Sequence, residues 1–252
     1  MENIRKPFQG VLNIVRFNWH FYVIAIIVIL GCNFLTVTLD KPYSTFIHAG
    51  SFLASFLMLI SLFVSYYVYD LSGIYSLKWI NKNNSETLIV NINAGFDETS
   101  SLLKDQFRNS KLIIFDFYNP EKHTEISIKR ARKAYPPFPK TQEINSSNIP
   151  LSDNVADKIF LIFAAHEIRN EIERTIFFKE IKRILKPNGE VYITEHLRDT
   201  PNFLAYNIGF FHFHSKNSWI KNFDEAQLKI KEEIKITPLI TNFILVKNGN
   251  TL

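Results

Sequence analysis

Two long stretches without a formal charge limit what this chain can become. Residues Phe17 to Leu39 hold no Asp, Glu, Lys or Arg, and neither do Pro42 to Tyr69. Each is long enough to cross a hydrocarbon core of about 30 Å as a helix. Asp40, Lys41 and Pro42 between them make a short turn, so the sequence predicts a transmembrane hairpin with spans over residues 19–39 and 44–69. Trp19, Tyr22, Tyr66, Tyr67 and Tyr69 stand near the ends, where amphipathic rings prefer the interface. Arg5, Lys6 and Arg16 precede the first span and Lys78 and Lys82 follow the second, whereas the turn carries one lysine. By the positive-inside rule both termini, and the domain that follows, lie in the cytoplasm. A cleaved signal peptide has a shorter apolar run and no second span directly after it. Two uncharged runs of this length are rare neighbours in a soluble core. Gly50, Ser51, Ala54, Ser55, Ser61 and Ser65 recur at a spacing that permits close helix packing. His20 and His48 read as interfacial or packing residues.

Composition divides the chain into an anchor, residues 1–80, and a domain, residues 85–252. Of the 23 Phe, 8 fall in the anchor. The formal charge of +5 suits an anionic bilayer surface as well as it suits nucleic acid. No zinc spacing and no RNA-binding aromatic signature is present, so no nucleic-acid partner is expected. The single Cys32 excludes an internal disulfide and a cysteine metal site.

The domain opens with strand, turn, helix, strand and acid. Thr87–Ile92 is apolar, Asn93-Ala94-Gly95 turns, a helical pattern covers 97–107, and Lys111–Phe115 ends in Asp116. This is the order of a nucleotide-binding βαβ unit, and a plain α/β core uses it too. A helix is expected from Asn119-Pro120 to Lys133, with Lys129, Arg130, Arg132 and Lys133 either solvated or facing lipid headgroups. A short third strand over 141–144, a buried fourth in VADKIFLIFAA, a helix over Glu171–Leu185 and a fifth strand over Glu190–Thr194 follow. A helix over 218–229 and two strands, 230–236 and 241–247, close the chain. These seven strands predict an α/β fold: a Rossmann-like, mainly parallel sheet with an antiparallel edge.

Three blocks of this domain resemble the class I S-adenosylmethionine-dependent methyltransferases over residues 85 to 248. LIVNINAGFD stands at the family's glycine-rich motif. LIIFDFYNPEKHTEISIKRARKAYP stands at the second strand, its acid and the next helix. INSSNIPLSDNVADKIFLIFAAHEIRN with FFKEIKRILKPNGEVYITEH spans the family's adenine-contacting strand to its Leu-Lys-Pro-Gly-Gly turn. The resemblance implies S-adenosylmethionine as cofactor. Gly95 and its turn, with Asn91 and Asn93, would face the methionine part. Asp116 would hold the ribose, Asn145 and Ser146 the adenine, and Ala164 and Ala165 the floor. Asn91 replaces the family's acid, and Asn93 and Asp97 replace further glycines.

Methyl transfer needs positioning, and a base if the acceptor is a hydroxyl. His166, Glu195 and His196, at the ends of the fourth and fifth strands, are the catalytic candidates. Arg169, Arg198 and Asp199 either hold an anionic substrate group or form a salt-bridge set. His212, His214 and Trp219 are candidate substrate residues, Trp219 and the nearby Phe side chains having core packing as the rival reading. His212 and His214 flank Phe213 and would share one side of a strand. With no carboxylate partner evident, no metal is expected. The predicted function is methylation of a hydrophobic or lipid-attached acceptor at the cytoplasmic membrane face. The alternative is a non-enzymatic membrane scaffold on a degenerate methyltransferase fold. A dinucleotide-dependent oxidoreductase would need a fuller glycine fingerprint.

Overall fold

The computed structural model describes residues 5–83, 85–123 and 125–249. Helices α1 (Gln9–Leu35) and α2 (Lys41–Tyr66) come first, joined by a 3-10 turn at Thr36–Thr38. Among the described residues these are the two helices long and apolar enough to cross a membrane, and the rest of the chain buries no part of their apolar windows. A polar clamp joins them. Asn33 Nδ2 donates to Ser51 Oγ at 2.8 Å, and Asn33 Oδ1 lies 2.7 Å from His48 Nδ1. Ser51 is therefore at the seam, whereas a Cβ on Gly50 would meet nothing, so the small-residue stripe is not one continuous packing face.

The amino end of α1 is docked on the domain. Asp70, in the π turn Tyr67–Leu71 that ends α2, accepts the N–H groups of Gly10 and Val11 at 2.8 and 2.9 Å. It thereby satisfies donors that a helix start leaves open. Only glycine fits at residue 10, because a Cβ there would overlap the Tyr69 Cβ. At Asn18 the backbone leaves the helix, with φ −114° and ψ 16°. Arg130 donates to the Phe17 carbonyl at this bend at 2.6 Å, reaches His20 Nδ1 at 2.7 Å and lies over the Trp19 ring.

The domain runs β1 (Leu88–Asn93), α3 (Ser100–Gln106), β2 (Lys111–Asp116), α4 (Ile126–Ala134), β3 (Gln142–Glu143), β4 (Ala156–Ile162), α5 (Glu171–Ile184), β5 (Leu185–His196), α6 (Thr200–Tyr206), α7 (Lys216–Glu225), β6 (Leu228–Thr237) and β7 (Ile240–Lys247). The seven strands form one sheet in the order β3-β2-β1-β4-β5-β7-β6. β1 to β5 pair in parallel, and β7 is antiparallel to both β5 and β6. The chain reverses direction across the sheet between β1 and β4, and the carboxyl edge at that point is where an open α/β sheet takes its ligand. One face is covered by α5 and α7 through Phe177, Phe178, Trp219 and Phe223. The other face packs Leu77, Ile80, Leu103 and Phe107 on Phe160, Tyr192 and Ile244. The sheet is the one the sequence predicts, and several helix bounds move, among them those of α4 and α7. Asn119 starts a turn, its Oδ1 accepting from Glu121 N at 2.8 Å, and α4 begins only at Ile126. α7 starts at the Ser215 cap and ends before Gln227, whose φ of 57° breaks the helix and feeds Leu228 into β6.

Lys158 is buried in β4, its Nζ donating to Glu190 Oε2 at 2.6 Å and lying 3.6 Å from Glu86. Burial opposes the charge of Glu190, but the bonds from Lys158, Lys231 and Tyr192 outweigh it and hold its carboxyl down at about 2. A folded value below the ordinary 4.5 gives stability that is complete above the unfolded pKa and lost as pH falls towards the folded one. The melting temperature should therefore drop across that acid window, and the drop should be shallower in Glu190→Gln. Lys158→Met leaves a carboxylate without its buried partner, and chemical denaturation should register a loss of about 3 kcal/mol. That is the low end for a broken buried pair, because Lys231 still reaches Glu190 at 2.6 Å.

Candidate active site

β1 delivers the turn at the centre of the carboxyl edge. Asn93 Oδ1 accepts from Gly95 N at 3.2 Å, and Gly95 takes φ +93°, a left-handed conformation that favours glycine. A Cβ there would sit 3.0 Å from the Tyr118 ring and from Arg132 Cδ. Asp97 Oδ1 then accepts from Thr99 N and Ser100 N, both at 2.9 Å, and starts α3. Asn91 is buried beneath, its Nδ2 donating to Ser100 Oγ at 2.8 Å and Thr99 Oγ1 at 3.1 Å. The Asn91 amide group thus holds the turn. Asn93 Nδ2 and Asp97 Oδ2 are buried with no hydrogen-bond partner. Asp97 was not among the sequence candidates.

Asp116 ends β2 and is buried. Its Oδ1 accepts from Tyr118 N at 2.9 Å, and its Oδ2 is paired with Arg132. The Arg132 guanidinium lies over the Tyr118 ring, 4.4 Å from its centroid. Of the four cations on α4, Arg130 and Arg132 therefore point into the protein, while Lys129 and Lys133 are exposed. Next along this edge, Asn145 Oδ1 accepts from Ser147 N at 2.9 Å, and Ser146 donates to Glu173 at 2.5 Å.

β4 ends in Phe163, a non-glycine residue at φ +53°. Such a conformation costs of order 1 kcal/mol. The chain then turns through buried Ala164 and Ala165 and sets His166 and Glu167 at the sheet edge. His166 N donates to Glu195 Oε1 at 3.2 Å, and His166 Nδ1 meets Glu195 Oε2 at 2.7 Å. His166 Nε2 lies 3.3 Å from Glu167 Oε1, and His212 Nε2 is 3.8 Å from the same oxygen. Burial works against a charge on His166, but Glu195 and Glu167 outweigh it and lift the imidazole to about 10. Burial likewise resists ionisation of Glu167, yet His166, His212 and Arg169 bring it down to about 2. Arg169 donates to the His212 carbonyl and, at 3.3 Å, to Glu125.

Other sequence candidates are drawn elsewhere. His196 is buried on the opposite side of β5 from Glu195, as strand alternation requires. Its Nδ1 faces two carbonyl oxygens, Asn202 Oδ1 at 2.9 Å and Leu239 O at 3.0 Å. Nδ1 therefore carries the hydrogen, and Nε2 accepts from Tyr69 OH at 2.8 Å. Burial pushes its pKa down to about 4. His196 is a neutral tie between β5 and the end of α2, which corrects its catalytic assignment. His212 and His214 do not share a strand face, because 207–212 is a 3-10 segment. His214 Nε2 turns to Arg174 Nη1 at 3.1 Å. Trp219 is fully buried between Phe178 and Phe223, so it is core and not a substrate wall. Arg198 donates to the carbonyls of Phe211 and Phe213, both at 2.8 Å. Asp199 caps α6 by accepting from Asn202 N at 3.1 Å. Both fix the loop, through backbone carbonyls and a helix cap and not through an Arg169–Arg198–Asp199 salt-bridge set.

Residues 90–193 match the family described as a methyltransferase domain. No curated protein matches the sequence. Among solved structures the fold is similar to a S-adenosylmethionine-dependent methyltransferase from Aquifex aeolicus, with 16% identity over 69% of this chain and 88% of that one and a TM-score of 0.50. It is similar to human N-acetylserotonin methyltransferase in complex with S-adenosylmethionine, with 15% identity over 79% of this chain and 56% of that one and a TM-score of 0.52. A Pyrococcus horikoshii protein gives 13% identity over 73% and 92%, with a TM-score of 0.53. At such identities these structures speak for the fold, and the domain match speaks for the activity. The class is thus a Rossmann-like methyltransferase behind two apolar helices. The methyltransferase domain at residues 90–193 makes this an S-adenosylmethionine-dependent enzyme.

Tyr69→Phe tests the role given to His196. It leaves a buried imidazole nitrogen without its donor, which costs about 1–3 kcal/mol. Melting should fall by a corresponding amount while cofactor affinity, measured by calorimetry, stays at the parent value. An affinity loss with unchanged melting would return His196 to the reaction site.

Proposed function

We propose that this enzyme methylates a hydrophobic or lipid-attached acceptor at the cytoplasmic face of a membrane that α1 and α2 span. One observation carries the reading: the amino end of α1 docks on the same sheet edge as the candidate site. Phe17 meets Phe96 edge-on at 5.6 Å, and Arg5 and Asn13 donate to Glu98 at 2.8 and 3.4 Å, directly beside the glycine turn. Beyond the site, α6 packs on α2, and Phe203, Leu204, Ile208 and Phe211 stand exposed next to it. That apolar strip suits a bilayer interface or an acyl chain. A hollow of about 700 Å³ between Arg5, Phe8, Tyr66, Asp70 and Tyr75 lies at the helix junction and holds none of the candidate residues.

The turn fits the amino-acid end of the cofactor. The unpartnered Asn93 Nδ2 is a donor for a carboxylate, and the unpartnered Asp97 Oδ2 is an acceptor for an ammonium. Asp116 takes the ribose hydroxyls once Arg132 moves from its carboxylate. Asn145 and Ser146 lie towards the adenine, and Ala164 and Ala165 form the floor. The bound cofactor supplies an electrophilic sulfonium methyl. His166, held by Glu195, carries a positive charge at neutral pH, which suits it to bind an anionic acceptor oxygen and not to act as the first base. Arg169 is the second cation at that position, 40% exposed and able to follow a ligand.

Incubation of the purified protein with methyl-labelled cofactor and a total lipid extract should place label in the organic phase. Label confined to water-soluble products would refute the acceptor class. Asp116→Ala should weaken cofactor binding at least about tenfold, since bonds to a charged group are worth roughly 1.5–3 kcal/mol. It should also lower stability by about 1–3 kcal/mol, because Arg132 and Tyr118 N lose their acceptor. Unchanged affinity would remove Asp116 from the cofactor site.

A further inference from the structure

His166, Glu167 and His212 each offer one ligand atom, and these atoms all lie within 4.8 Å of one another. We propose that they bind a single divalent transition-metal ion of the zinc type at the carboxyl end of β4. Bonds of about 2.0–2.2 Å at a tetrahedral angle set ligand atoms about 3.3 Å apart. Glu167 Oε1 stands 3.3 Å from His166 Nε2 and 3.8 Å from His212 Nε2. The third separation, between the two imidazoles, lies within 4.8 Å, and side-chain rotation on metal entry closes the difference.

The surroundings have the character of a metal site and not only of a salt-bridge network. Both histidines present Nε2 to the shared carboxylate and Nδ1 to another carboxylate. His166 Nδ1 meets Glu195 at 2.7 Å, and His212 Nδ1 meets Glu125 at 3.1 Å. A carboxylate on the far nitrogen fixes the tautomer and raises the basicity of the ligating nitrogen. Glu167 is 6% exposed. Among the described residues its ion pairs are with these two imidazoles, and no Lys or Arg lies within salt-bridge distance of it. A buried carboxylate needs a firm positive partner, and a bound cation supplies one. Arg169 Nη2 lies against His212 Nδ1, beside Glu125, and 3.0 Å from Nε2 of the same ring. Its flexible, half-exposed side chain must swing aside when the ion enters, and Glu125 gives it a place to rest.

Three protein ligands leave a fourth position open, the pattern of a reactive zinc site and not of a structural one. Within the methyl-transfer reading, the ion would displace the proton of His166 and take over its role, so that the open position holds the acceptor oxygen and lowers its pKa. The binding of metal itself does not depend on that reading.

The test uses the full chain, freed of metal with a chelator and titrated with Co²⁺ and Zn²⁺. Metal content is read by mass spectrometry, and the cobalt site by its visible absorption. One ion per chain is expected, with an intense tetrahedral-type cobalt band. His212→Gln, on an exposed-side 3-10 segment, should lose the band while keeping the parent melting profile. Glu195→Gln should weaken metal binding about 10–100-fold. His48→Ala, in α2, should bind as the parent does. Absence of stoichiometric cobalt or zinc in the parent protein overturns the proposal, as does unchanged binding in a His166→Gln/His212→Gln double variant. Cofactor binding, measured separately without added metal, reports on the methyltransferase site independently.

Discussion

Glu98 ties three segments that are far apart in sequence. Its carboxylate accepts from Arg5 at 2.8 Å, Gln9 at 3.3 Å, Asn13 at 3.4 Å and Tyr75 at 2.9 Å. Arg5 also stacks over the Tyr75 ring at 3.6 Å. The acid sits in the turn between β1 and α3, so the start of α1, the segment after α2 and the glycine turn share one partner. Hydrogen bonds to a charged group are among the stronger ones available to a protein. Because these meet in a partly buried place, the apolar helices cannot swing freely about the domain, and the packing of Phe17 on Phe96 and of Tyr69 on His196 follows from that restraint.

Much of the fold could be read from the sequence because it rests on periodicity and length. The apolar β1 and β4 announce their burial and the alternating β6–β7 pair its edge position, while the charge-free runs announce two long helices that the domain leaves uncovered. The helix starts were harder. Asn119-Pro120 looks like a helix signal, yet the Asn119 side chain closes a local turn. Gln227 ends α7 through a positive φ that no composition rule assigns to glutamine. The site was legible in part. Glu195 and His166 meet because both follow neighbouring parallel strands. His196 was misplaced for a reason present in the sequence: consecutive residues on a strand face opposite ways. The parting of His212 from His214 was not legible, since a 3-10 segment replaced the expected strand. Nor was the role of Arg132, which as a helix cation gave no hint that it turns inward to Asp116.

The carboxyl edge concentrates buried charge, as does the separate Lys158–Glu190–Glu86 cluster within the sheet. Asp116, Glu167 and Glu195 lie at the edge with Arg132 and His166 against them. Buried ion pairs are weak stabilisers, because desolvation offsets most of the attraction. Their presence at one edge, with unpartnered polar atoms on Asn93 and Asp97, marks where the chain has exchanged packing for chemistry. The strain at Phe163 belongs to the same exchange, since it turns the chain so that His166 and Glu167 reach the edge.

The bend at Asn18 has a geometric consequence. With Arg130 holding the Phe17 carbonyl and Glu98 holding Arg5, Gln9 and Asn13, the base of α1 is fastened directly to the domain. A Gly/Ser tether would let a tethered domain sweep a wide volume. Here the domain is mounted like a tool on a fixed arm. On the membrane reading, the reactive edge sits at one height above the bilayer midplane, and acceptors are sorted first by how far their reactive atom protrudes from the lipid.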